Sequence, residues 1–147
     1  MIEVFLRVVP PSVTAQQKRV RVVHGKPVFF HGAKMRAEAN TWASLLNGRQ
    51  PLAPMAGPVA LAIRLVYPHL KATPKRDLER FIPKVSKPDA GNAGKHLEDV
   101  LVKLRFLEDD QQVARLTVEK WHGPESQVGI GIKIEPLSGQ ENGTYVL

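Results

Sequence analysis

The chain contains no cysteine, so it holds neither a disulfide nor a thiolate-bound metal. That absence fits a reducing compartment and turns any metal site toward oxygen ligands. Aromatic residues make up only 6% of the sequence, and acids are outnumbered, 14 Asp and Glu against 21 Lys and Arg. No apolar run approaches the roughly 20 residues that a membrane-spanning helix needs. The opening Met1-Ile2-Glu3-Val4-Phe5-Leu6 lacks the basic stretch, apolar run and small-residue cleavage site of a signal peptide, so a cytoplasmic protein with no membrane partner is expected. No glycine-rich phosphate loop is present, which argues against a nucleotide cofactor.

What the chain does have is positive charge. A formal +7 and a pI near 9.9 favour a polyanionic partner, because Lys and Arg that neutralise phosphates release condensed counterions. A merely solvated basic surface would give the same totals, so placement must decide. Without repeats or low-complexity tracts, 147 residues fit one domain with a sizeable core, expected over 1–136 with a loose tail from 137 to 147.

Ile2 to Val9 reads as a first strand stopped by Pro10-Pro11-Ser12. Lys18 to Val23 and Pro27 to Phe30 flank His24-Gly25-Lys26 as a hairpin. From Lys34 the period becomes helical, through Met35, Ala39, Trp42 and Leu46, and Asn47-Gly48 ends it. Trp42 falls on the apolar stripe and is expected in the core. After the bridge from Pro51 to Pro58, the residues from Val59 to Tyr67 alternate as a strand central to the sheet. Pro68 to Pro88 has no period and several prolines, and loops of this length are uncommon unless functional or disordered. It carries Lys71, Lys75, Arg76, Arg80, Lys84 and Lys87 against only Asp77 and Glu79, so most of the basic excess lies here and it is the expected segment for a polyanionic partner. Lys18, Arg19, Arg21, Lys34 and Arg36 are candidates to extend that surface. A second helix follows over roughly Ala90 to Leu104, and Arg115 to Trp121 and Gln127 to Ile134 form a terminal pair of strands around His122-Gly123-Pro124. Trp121 and His122 are expected to pack at the strand's edge. The order implies an α/β or α+β domain, a mixed sheet packed with two helices.

On a helical wheel the second helix gathers Ala93, Leu97, Val100, Leu101 and Leu104 on one side. Lys95 points the other way, flanked by Gly91, Asn92, Glu98 and Asp99. Asp89 stands where a carboxylate caps a helix, and read alone it is a cap before it is a ligand. Lys95 and Asp99, one turn apart, form an ordinary surface pair. Glu108-Asp109-Asp110 comes just after the helix and just before a strand; if that strand runs back beside the helix, the two acidic ends meet. Mg²⁺ needs only one or two carboxylates with water and substrate phosphate, and a nearby lysine can steady the charge of a phosphodiester transition state. Acids on two solvated turns remain the alternative until something joins them.

The run Lys87-Pro88-Asp89-Ala90-Gly91-Asn92, then Lys95, then Asp99-Val100-Leu101, then Glu108-Asp109-Asp110-Gln111-Gln112-Val113 resembles the signature of the RusA family of Holliday junction resolvases of phages and prophages. That signature reads Asp, any residue, Asp, Asn, two residues, Lys, then a later Asp-Asp, any residue, Gln, Val or Ile. The resemblance extends less specifically over most of the chain, through Pro10-Pro11-Ser12 and Gly57-Pro58-Val59. It implies a RusA-like fold and a homodimer that nicks four-way DNA junctions symmetrically with Mg²⁺, or Mn²⁺ in its place, in recombination and repair, in a bacterial cytoplasm at the nucleoid. By position it makes Asp89, Lys95 and Asp110 catalytic, with Asp89 and Asp110 binding metal, Asp109 beside them and Asn92 supporting the site.

One position departs from the pattern: Gly91 stands where the family has its second Asp. Glu98, seven residues on and nearly on the same helical face, is a candidate replacement, with Asp99 another possible ligand. Compensation by Glu98 requires the carboxylates of Asp89, Glu98 and Asp110 to converge. Without it the chain is a weakened or inactive binder of branched DNA; a flap or fork nuclease is a further alternative.

Overall fold

The alternating run Val59–Pro68 is the middle strand of the sheet in the computed structural model, which describes residues 1–11, 18–31 and 42–139. Its odd-numbered side chains Val59, Leu61, Ile63, Leu65 and Tyr67 are all buried on one face, and Ala60 and Val66 are buried on the other. The second face is covered only in part, since Ala62 and Arg64 are exposed, and a strand with one face buried and the other partly so suits the centre of the sheet. The elements in order are β1 (Ile2–Leu6), β2 (Lys18–Val23), β3 (Lys26–His31), α1 (described over 42–46), β4 (Val59–Pro68), β5 (Ile82–Pro83), α2 (Ala90–Lys103), β6 (Val113–Gly123) and β7 (Gly129–Pro136). β1 ends at Leu6, before the prolines expected to stop it.

The main sheet runs β1-β7-β4-β6-β5 and is mixed: β4 is parallel to β6 and antiparallel to β7. The domain is therefore α+β, as expected. The two last strands are not a pair, however, because β4 lies between them. The ladder of β4 extends along both; the β7 row Ile130, Ile132 and Ile134 is buried, and Val113 and Val118 of β6 are partly buried against the same core. A parallel partner needs a long crossover, and here it is the basic loop followed by α2. β2 and β3 form a separate hairpin whose turn places His24 and Gly25 at φ 50° and 74°, the left-handed pair that a two-residue hairpin turn favours.

Both helices contribute to the core on one side of the sheet. Trp42 and Leu46 of α1 and Leu97, Val100 and Leu101 of α2 join Val4, Leu6, Phe106, Leu107, Ile130, Ile132 and Ile134. Burying each large apolar side chain contributes about 1.5–3 kcal/mol, so this face fixes where α2 lies. Gly94 lets it lie close: a Cβ there would stand 2.9 Å from the Val118 side chain of β6. The start of the first helix, including Lys34 and Arg36, and residues 140–147 of the tail fall outside the described residues. No helix among those residues is long and apolar enough to cross a membrane.

Candidate active site

Two segments within the β4–β6 crossover carry the acidic motif. The first is the turn into α2. Asp89 is the N-cap, accepting from the Asn92 backbone N–H at 3.1 Å, so the carboxylate expected as a ligand also stabilises the helix start. Asn92 supports this end through its backbone.

The second segment is the short turn Asp110–Gln112 that precedes β6. Asp109 caps it by accepting from the Gln111 N–H at 3.0 Å. Gln112 fixes it to the rest of the fold. Its Oε1 accepts from the Glu108 and Asp109 N–H groups at 2.7 and 3.0 Å, and its Nε2 donates to the Met55 and Gly57 carbonyls, both at 2.8 Å. One amide thus uses both its acceptor sites and both its donors.

Lys95 joins the two segments. Its Nζ lies 2.6 Å from Asp110 Oδ2 and 3.5 Å from Asp99 Oδ1. The hydrogen bond to Asp110, helped by the charge of Asp99, raises the Lys95 ammonium above its ordinary pKa. The same bond lowers Asp110, which stays ionised below the usual carboxylate range. Half-buried Glu98 behaves oppositely: burial pushes its carboxyl upward, Lys95 opposes this, and Asp110 and Asp99 add to it. Glu98 therefore lies within electrostatic reach of Asp110 and Lys95. An open groove of about 320 Å³, lined by Asp99, Val102, Lys103, Glu108, Asp109 and Asp110, runs along this edge.

Lys95, Asp99 and Asp110 thus come together, with Glu98 beside them. Asp89 remains at the helix start, with no hydrogen bond or ion pair to those four. Among the described residues no three acidic or histidine side chains converge closely enough to hold an ion, so the meeting of Asp89, Glu98 and Asp110 is not formed here. The donors are all carboxylate oxygens, the right type for a hard cation that completes its shell with water and phosphate. Gly91 lies beside Asp89: a Cβ on it would meet only Asp89 Oδ1, at 3.2 Å, a close approach that a small shift of that side chain relieves.

The basic loop divides. Arg80 pairs with Asp77 at 3.1 Å and Arg76 with the same carboxylate at 4.0 Å. Lys84 donates to Ser86 Oγ at 2.8 Å and lies 4.7 Å from the Tyr67 ring centre, and burial followed by the charge of Lys120 lowers its pKa. Lys71, Lys75 and Lys87 are exposed without a carboxylate partner among the described residues. Trp121 packs edge-on against Phe81, with the Arg64 guanidinium over both rings, and His122 Nδ1 is bonded to the Pro68 carbonyl.

Two polar residues of this region were assigned no role from sequence. Gln112 lies inside the motif, which was its signal. Lys120 lies outside it and had none.

A crossover junction endodeoxyribonuclease RusA from Lactococcus phage r1t is 28% identical over 121 residues, which cover 81% of this chain and 87% of the phage protein. The family profile for endodeoxyribonuclease RusA matches residues 9–135, and the chain, whose two motif segments meet at Lys95 and Asp110, belongs to that family of endonucleases.

Proposed function

We propose that this endonuclease resolves four-way DNA junctions by paired, symmetric nicks, acting as a homodimer with Mg²⁺, or Mn²⁺ in its place, in the bacterial cytoplasm at the nucleoid. The observation that carries the reading is the Lys95–Asp110 contact, because it puts the motif's lysine and its distal acid at one place beside an open groove.

Asp110, held ionised, and Glu98 would hold the cation, with Asp89, Asp109 and Asp99 as the further acids within the motif. When bound, the ion supplies Lewis acidity toward the scissile phosphate. Lys95, held protonated, presents its ammonium to the phosphate's developing charge. Exposed Lys71, Lys75 and Lys87 track the DNA backbone, and Arg76, Arg80 and Lys84 of the same loop add to its positive charge. A two-fold dimer suits the task, since it offers one site to each of two related strands.

The test compares synthetic four-way junctions, flaps and forks at one protein concentration, with Mg²⁺ and with chelator. Paired nicks on the four-way junction that require the cation support the reading. Preferential cutting of flaps or forks replaces the substrate; tight junction binding without nicks, whatever the metal, replaces catalysis by binding.

A further inference from the structure

Lys120 lies on β6, outside the motif, and its side chain points to the sheet face on which α2 packs. Its ammonium donates to the Ser86 carbonyl at 2.7 Å and to the Pro88 carbonyl at 2.5 Å. No carboxylate among the described residues pairs with it. The Lys120 carbonyl in turn accepts from the Lys84 N–H at 3.0 Å, so one residue of a sheet strand holds the segment from Lys84 to Pro88 at three points. Lys84 grips the same segment through Ser86 Oγ. The Pro88 carbonyl belongs to the peptide whose nitrogen is that of Asp89, so fixing that carbonyl fixes the direction in which the Asp89 backbone leaves the loop. Bonds from a charged donor are roughly twice as strong as neutral ones, and the strand supplies a rigid base.

We infer that Lys120 is a positioning residue, which orients Asp89 at the start of α2 by holding the two carbonyls of the turn before it. The inference rests on the reading of Asp89 as a site acid. It gives the lysine's charge a use within the protein, in contrast to a lysine that contacts a DNA phosphate.

The variants are Lys120→Met and Lys120→Arg. Three readouts are taken: hydrogen exchange at the Asn92 amide, which Asp89 caps; the Mg²⁺ dependence of junction cleavage; and the salt dependence of junction binding without divalent metal. In Lys120→Met, Asn92 protection falls, and activity at limiting Mg²⁺ drops by about 10- to 100-fold, as removing an outer partner of a metal ligand typically does. The salt slope of binding stays at the wild-type value. Lys120→Arg, whose guanidinium can donate to both carbonyls, retains most of the protection and of the Mg²⁺ response.

Unchanged Asn92 protection in a folded Lys120→Met protein overturns the inference. So does a salt slope smaller by about 1, the mark of a lost phosphate contact. If the methionine variant does not fold, Lys120→Arg decides: loss of Asn92 protection there overturns the inference, and retention supports it. Should the wild type cleave no DNA, the nuclease reading fails, and the Asn92 amide still reports on Lys120.

Discussion

Lys95 Nζ and Asp110 Oδ2 lie 2.6 Å apart, although the two residues stand 15 positions apart in the chain and on different elements. The pairing makes a titration prediction with a sign. Asp110 is lowered, so its contribution to stability is present above the pKa of the unfolded chain and is lost as pH falls through the folded value. Lys95 is raised, so its contribution is present below its unfolded pKa and is lost as pH rises through the folded one. Solvent screening keeps both contributions small at this exposed pair. In Lys95→Met, the Asp110 carboxyl, followed by NMR, is expected to titrate at higher pH than in wild type. An unmoved midpoint would mean that Lys95 does not hold Asp110 in solution.

Gln112 is expected to matter for stability as well as position. Gln112→Leu keeps the bulk but leaves two carbonyls and two N–H groups without their partner. Urea unfolding should show a loss of about 0.5–1.5 kcal/mol, because only the bond to the Met55 carbonyl is partly buried and water can reach the other three groups. A variant as stable as wild type would show that water replaces the amide without penalty.

Much of this was legible in the sequence, and the parts that were not share a physical reason. The α2 stripe of Leu97, Val100 and Leu101, the Asp89 cap and the burial of β4 on one face and part of the other all follow from local period or local capping chemistry. The separation of β6 from β7 does not, because it depends on β4 inserting between two strands adjacent in the chain. Lys120 left no trace because its partners are backbone carbonyls 34 and 32 residues away, and a carbonyl carries no residue-type signal. Gln112 could be noticed as part of the motif, but its clamp on Met55 and Gly57 could not.

Gly91 and Gly94 should respond oppositely to added side chains. At Gly91 a Cβ meets only Asp89 Oδ1, at 3.2 Å, so Gly91→Asp should fold and place a further carboxylate beside the helix start. Calorimetry with Mn²⁺ should show tighter binding than wild type. At Gly94 a Cβ would stand 2.9 Å from the Val118 side chain, and Gly94→Ala should cost about 1–3 kcal/mol in the same unfolding assay through overpacking. Equal tolerance of both substitutions would contradict the close approach of α2 to β6.

Glu98 supplies the pH dependence of cation binding. Its raised carboxyl favours the protonated form, so its contribution to stability is fully present below the unfolded pKa and is lost as pH rises through the folded value. Cation binding needs the ionised form and should strengthen through that same interval, above the ordinary glutamate range. In Glu98→Gln the Mn²⁺ affinity should be weaker and nearly flat across the interval. A variant that keeps the wild-type pH profile removes Glu98 from the cation's shell.

The most direct measurement of the central claim follows strand cleavage and binding of one synthetic four-way junction, with Mg²⁺, by wild type and Asp110→Asn. The account predicts paired, symmetrically placed nicks by the wild type. It predicts loss of those nicks in Asp110→Asn with junction binding retained, because the substitution keeps the side chain's shape while removing the charge that Lys95 and the cation require. Nicks that persist at the wild-type rate in Asp110→Asn would contradict it.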